Sequence, residues 1–146
     1  MKKIVLFALF GLCVGFAESI EELIKQCETD SDICVELGDK YKKQNDIATA
    51  VEFFEKACKM DESQGCVNAG ILYKKGEGIK QNVSKAADLY EKACDLKHSA
   101  GCYNLALIYQ EKGKTSEAKE FYNQSCKIGE KKACVNLRNL RIKEYF

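Results

Sequence analysis

AVEFFEKAC at residues 50–58, AADLYEKAC at 86–94 and AKEFYNQSC at 118–126 are one phrase written three times. IEELIKQC at 20–27 is the same phrase shortened. A second phrase follows each copy: CVELGDKY at 34–41, CVNAGILY at 66–73, CYNLALIY at 102–109 and CVNLRNLR at 134–141. Counted from Cys27 to Cys58, Cys94 and Cys126, the repeat length is 31, 36 and 32 residues. Self-similarity with a period of roughly 20 to 50 residues marks a solenoid or repeat array.

Both phrases read as helices. In the second, helix A, small or apolar residues fall three, four and seven positions after the cysteine: Leu37/Gly38/Tyr41, Ala69/Gly70/Tyr73 and Leu105/Ala106/Tyr109. That is one stripe of a 3.6-residue period. In the first, helix B, the stripe is Ala50/Phe54/Ala57, Ala86/Tyr90/Ala93 and Ala118/Tyr122/Ser125. Small residues let two helices approach and the aromatic fills the space between them. Asp46, Ser84 and Thr115 are the expected N-caps of helix B. The predicted fold is all-α, an αα-hairpin solenoid in the order B, A-B, A-B, A-B, A, because one hairpin cannot bury its apolar face alone. The boundaries expected are helix B0 at 18–28, repeats at about 32–58, 64–96 and 100–127, and a capping helix at 132–143. Arg138 and Arg141 replace the small residue and the tyrosine there, giving the charged outer face a cap needs.

The N-terminus reads differently. Met1-Lys2-Lys3 is a basic start, residues 4–16 are apolar, and Gly15-Phe16-Ala17 places small residues around a cleavage site after Ala17. That is the pattern of a secretory signal peptide at 1–17, preceding a single domain at 18–146. An uncleaved anchor and a lipid-bearing Cys13 are the alternatives, the latter opposed by Leu12 where a small residue is wanted. Of the nine cysteines, Cys13 leaves with the signal and an even eight remain. Export and that density point to a secreted or periplasmic protein with a disulfide framework. Removing Lys2 and Lys3 turns the net charge of +1 into −1, which gives no electrostatic case for nucleic acid or for a membrane surface.

The stretch Tyr73-Lys74-Lys75-Gly76-Glu77-Gly78, with Asn82, Lys85-Ala86 and Tyr90-Glu91-Lys92-Ala93, looks like a Sel1-like repeat. The two shorter repeats lack the Gly-x-Gly turn and are closer to tetratricopeptide repeats. Sel1-like repeats with a cysteine pair at each junction, behind a signal peptide, resemble the Helicobacter cysteine-rich proteins. The resemblance covers the mature chain and implies binding, and slow hydrolysis, of β-lactams.

The repeat leaves two pairing schemes. Neighbours give Cys27–Cys34, Cys58–Cys66, Cys94–Cys102 and Cys126–Cys134; the shifted scheme gives Cys34–Cys58, Cys66–Cys94 and Cys102–Cys126. The neighbours are favoured because the shifted scheme strands Cys27 and Cys134, and because the insertion that lengthens the middle repeat alters only the shifted separations. Eight residues within one helix would rise about 12 Å, beyond the roughly 7 Å that a disulfide spans, so each pair must bracket a chain reversal. Zinc is not expected, since no C-x2-4-C spacing occurs, and no cofactor is implied.

Little else carries chemistry. His98 is the single histidine. Ser116 with Lys119 is the only Ser-x-x-Lys, the arrangement a serine β-lactamase needs, without a Ser-Asp-Asn or Lys-Thr-Gly partner. In a chain this rich in lysine such a match arises by chance. The binding candidates are Asn68, Asn104 and Asn136, each two residues after a helix-A cysteine, with Glu36 in the first repeat and Lys43, Lys75 and Glu111 nearby. That position lies about 150° around the helix from the apolar stripe. A ladder of amides can clasp an extended peptide, since each both donates and accepts; equally, each can serve a neighbouring helix. The functional expectation is a binding module for a peptide, a partner protein, a peptidoglycan fragment or a β-lactam, with β-lactam hydrolysis as the alternative.

Overall fold

The computed structural model describes residues 19–143. The expected signal peptide at 1–17, with Cys13, lies outside the described residues. Among the described residues there are eight α-helices and no strand, as the all-α expectation requires: α1 (Ile20–Gln26), α2 (Ser31–Lys43), α3 (Ile47–Lys59), α4 (Ser63–Lys75), α5 (Val83–Asp95), α6 (Ser99–Glu111), α7 (Thr115–Ile128) and α8 (Lys131–Ile142). Odd-numbered helices carry the B phrase and even-numbered helices the A phrase. Each helix packs antiparallel on the next, and α4 also touches α2 and α6 directly. The A helices therefore form the tighter, inner side of the stack.

Side chains close the free N–H groups at most helix starts. Ser19, Asp30, Asp46, Glu62, Asn82 and Glu130 each accept from a backbone N–H of the first turn. Two of the expected caps are displaced. Asn82, not Ser84, caps α5, accepting from Lys85 N at 2.9 Å. Thr115 is the first residue of α7, behind Lys114, which makes no side-chain capping bond.

The A-to-B turns share one hydrogen bond, and the last three B-to-A turns share another. From A to B, the carbonyl of Tyr41, Tyr73 or Tyr109 accepts the N–H of Asp46, Asn82 or Lys114, at 2.9–3.0 Å. The middle repeat keeps this bond and splices its extra residues inside it. From B to A, the N–H of Glu62, His98 or Glu130 returns to the carbonyl of Ala57, Ala93 or Ser125, at 2.9–3.1 Å. The residue before each donor, Asp61, Lys97 or Gly129, has positive φ. This is the Schellman closure of a helix C-terminus. It places the last cysteine of B opposite the cysteine four residues after the next N-cap.

Four disulfides span these turns: Cys27–Cys34, Cys58–Cys66, Cys94–Cys102 and Cys126–Cys134, with Cα atoms 4.6–4.8 Å apart. Gly65 and Gly101, each just before a cysteine, keep the contact tight: an added Cβ would stand 2.6 Å from the Cβ of Ala57 or Ala93.

Inside each hairpin the small residue of A receives the aromatic of B. Phe54, Tyr90 and Tyr122 are fully buried. A Cβ on Gly38 would lie 2.5 Å from the Phe54 ring, and one on Gly70 would lie 2.6 Å from Tyr90. Ala106 packs with Tyr122, whose hydroxyl donates to Gln110 Oε1 at 2.7 Å. On α8, Arg138 and Arg141 are exposed.

Alanine for glycine inside an ordinary helix raises stability by about 0.5–1 kcal/mol. Gly70→Ala is expected to do the opposite, lowering stability by about 1–3 kcal/mol through overpacking against Tyr90. Urea unfolding reads this as a lower midpoint with an unchanged slope. A midpoint at or above that of the wild type would show that the Tyr90 ring yields without cost.

Candidate functional site

The amides singled out from the sequence stand at equivalent places on α4, α6 and α8, each half-buried. They are not equally free. Asn68 Oδ1 accepts from Gln64 Nε2 at 2.9 Å. Gln64 Oε1 then lies 3.3 Å from His98 Nε2. With the Gln64 NH2 group used on Asn68, its oxygen accepts, and the network assigns the His98 proton to Nε2. Asn136 Nδ2 reaches from α8 to the Tyr103 hydroxyl of α6 at 3.5 Å. Asn104, between them, has no hydrogen bond among the described residues. Glu36, at this position in the first repeat, is exposed and lies 3.8 Å from Lys40. Lys74 and Glu111 tie α4 to α6 at 2.8 Å, while Lys43 and Lys75 are exposed.

A cleft of about 360 Å³ opens where α6 meets α8, lined by Gln110, Asn136, Asn139, Leu140, Ile142 and Lys143. Of the three amides, Asn136 lines it and Asn68 and Asn104 do not. Ser116 is exposed in the first turn of α7, and Lys119 is half-buried one turn later. Neither lines this cleft or the larger one described next. Among the described residues no group of three or more His, Cys, Asp or Glu side chains is placed to hold a metal ion.

The larger cleft, about 550 Å³, lies on the B-helix side between α3 and α5. Its floor is Leu89 and Cys58; Lys59, Lys85, Lys92, Glu55 and Asp88 surround it, with Asn82 and Ser84 at the start of α5. Sequence reasoning missed it. A signal was present five residues before the B cysteine, where the three repeats read Phe53, Leu89 and Phe121. Phe53 stacks on Tyr41 and Phe121 on Tyr109, both with centroids 5.5 Å apart. Leu89 brings no ring to Tyr73.

Beside this cleft Lys85 Nζ sits 2.6 Å from Glu55 Oε1 and 4.9 Å from the centre of the Tyr73 ring. Burial alone raises the Glu55 pKa, but hydrogen bonds from Lys85 and Tyr73 and the charges of Lys85 and Lys59 outweigh it, leaving Glu55 below the usual carboxylate range. Burial and the neighbouring Glu55 push Tyr73 up. The bond to Glu55 raises Lys85.

Comparison with known proteins places this geometry. A Sel1 repeat family model matches residues 63–98, and a tetratricopeptide repeat model matches 31–64 and 99–131. The structure of Helicobacter pylori cysteine rich protein B superposes with a TM-score of 0.61 at 26% identity, covering 84% of this chain and all of that one. The chain is a Sel1-repeat protein of the Helicobacter cysteine-rich family. Other members of that family from Helicobacter pylori match by sequence. The protein named putative beta-lactamase HcpC is 43% identical over 58 residues, 40% of this chain and 20% of that one. Beta-lactamase HcpA is 40% identical over 78 residues, 53% of this chain and 30% of that one. The matches thus span less than a third of these curated relatives. A Sel1 repeat protein from Oxalobacter formigenes shares the fold, with a TM-score of 0.69 at 20% identity over 80% of this chain and 57% of that one. Sel1 and tetratricopeptide repeats are interaction modules, generally mediating binding between proteins through the extended surface that stacking creates.

The Glu55–Lys85 pair sets a pH dependence. Because Glu55 is held below its ordinary value, its contribution is present above the unfolded-state pKa and is lost as pH falls through the folded-state value. The Lys85 side chain is 43% exposed, so solvent screening keeps the contribution under about 1 kcal/mol. Glu55→Gln should therefore lower the melting temperature at pH 7 and match the wild type once pH is below the depressed carboxylate value. A difference that persists unchanged at low pH would assign the loss to packing instead.

Proposed function

We propose that the chain is an exported interaction module whose inner, A-helix side binds an extended peptide. The arrangement that carries this reading is the row of Asn68, Asn104 and Asn136 on three successive inner helices, ending at the cleft beside Asn136. An amide that gives one group to a neighbour keeps another for a ligand: Asn68 keeps its NH2 and Asn136 its carbonyl. Spacing set by the repeat suits a partner whose own polar groups recur regularly, as those of a polypeptide backbone do. A cell-wall peptide fits this description, and a β-lactam would enter the same groove as a mimic of one. The signal-peptide pattern at 1–17 and the disulfides support the export part of this reading.

Hydrolysis is the weaker reading. It comes from the printed names of HcpA and HcpC, while Ser116 stands exposed and apart from both clefts.

A panel of immobilised extended peptides, with a peptidoglycan-derived muropeptide and benzylpenicillin beside them, tests the groove. Asn68→Ala with Asn104→Ala is expected to weaken the bound members about thirtyfold, at roughly 1 kcal/mol for each of two lost hydrogen bonds, with an unchanged circular dichroism spectrum. Equal affinity in the folded double variant would remove these amides from the site.

A further inference from the structure

We propose that the cleft between α3 and α5 is a second binding site, on the side opposite the A-helix groove, and that it takes an aromatic ring bearing a carboxylate. Repeat symmetry supplies the first part of the case. Five residues before the B cysteine, the flanking repeats place a phenylalanine ring: Phe53 packs with Leu23, Cys27, Cys34 and Leu37, and Phe121 with Tyr122 and Tyr109. The middle repeat has Leu89 there, and a cleft of about 550 Å³ lies over it. The cleft is thus a place where this fold elsewhere accommodates an aromatic ring. Its depth is bounded by Leu89 and by Cys58, which is 3% exposed and closed in the Cys58–Cys66 disulfide. A flat ring covers such a floor at low entropic cost, since little rotamer freedom is lost on binding.

Charge supplies the second part. Three lysines and two carboxylates line the cleft. Lys85 is held by Glu55 at 2.6 Å, and Lys92 by Asp61 at 2.9 Å. Asp88 stands one turn before Lys92 on α5, on the same helix face. Lys59, exposed at the end of α3, is the lining lysine without an ion pair among the described residues. A carboxylate on the ligand completes that lysine while the ring covers Leu89. The insertion that distinguishes the middle repeat packs on α3 outside the cleft. Gly78 of the loop between α4 and α5 abuts Ile47 at the start of α3, an added Cβ falling 2.8 Å from the Ile47 Cβ. The loop is thereby seated on α3, and α5 begins only at Val83.

N-acetyl-L-phenylalanine is the probe, titrated into the isotope-labelled chain and followed by NMR. The site predicts saturable shifts centred on Leu89, Ser84 and Lys59. N-acetyl-L-phenylalaninamide should bind about threefold more weakly, the size of an exposed ion pair, and N-acetyl-L-leucine should also bind more weakly. Leu89→Phe restores the ring of the sister repeats and should abolish the shifts. Ser84→Trp blocks the mouth from an exposed position and serves the same purpose should the core substitution disturb folding. Shifts that scatter over the surface, equal affinity for the three probes, or binding that survives in either folded variant would overturn the proposal.

Discussion

At each B-to-A turn a disulfide holds two helix ends with their Cα atoms under 5 Å apart, and the rest of the stack is arranged around those four contacts. At three of the four turns a Schellman closure sets the paired cysteines face to face, while the first turn, from Cys27 to Cys34, closes through the Asp30 N–H on the Gln26 carbonyl. Gly65 and Gly101, just before the second cysteine of the two middle junctions, let the helices meet there. In the chain-entropy view, a closed loop of about nine residues stabilises by roughly 2.5 kcal/mol. For an array with only three full hairpins this matters, because stability in a repeat protein is a sum over units and neighbouring interfaces. The covalent links sit at those interfaces. The buried aromatic of B then has a fixed hole to fill in A, so disulfides and ring packing reinforce one geometry.

Much of this was legible in the sequence because the repeat states each requirement several times. The A and B stripes, the small residues opposite Phe54, Tyr90 and Tyr122, and the helical class all follow from periodicity. The helix starts were less so. Asn82 outcompetes Ser84 as the cap of α5 because its backbone N–H is already bound to the Tyr73 carbonyl, which fixes where the helix can begin. Thr115 falls one residue inside α7 because the matching bond to the Tyr109 carbonyl is donated by the Lys114 N–H. A turn read as a string of polar residues does not reveal which of them carries that bond.

The candidate site was legible in part. The asparagines are repeated and half-buried, but their partners lie on other helices or a turn away, as with Gln64 and His98, and spacing within one phrase cannot show them. The α3–α5 cleft was invisible for a different reason. Periodicity reports what recurs, and this feature comes from what fails to recur, a leucine where two phenylalanines set the rule. The two faces of the solenoid therefore offer different chemistry: recurring amides inside, and an apolar cleft with charged walls outside.

Mapping the disulfides in the purified chain tests the account most directly. Proteolysis without reduction, followed by mass spectrometry, should give four linked pairs, Cys27–Cys34, Cys58–Cys66, Cys94–Cys102 and Cys126–Cys134. Links from Cys34 to Cys58, Cys66 to Cys94 and Cys102 to Cys126, with Cys27 and Cys134 left as thiols, would contradict the junction staples on which the stack is built.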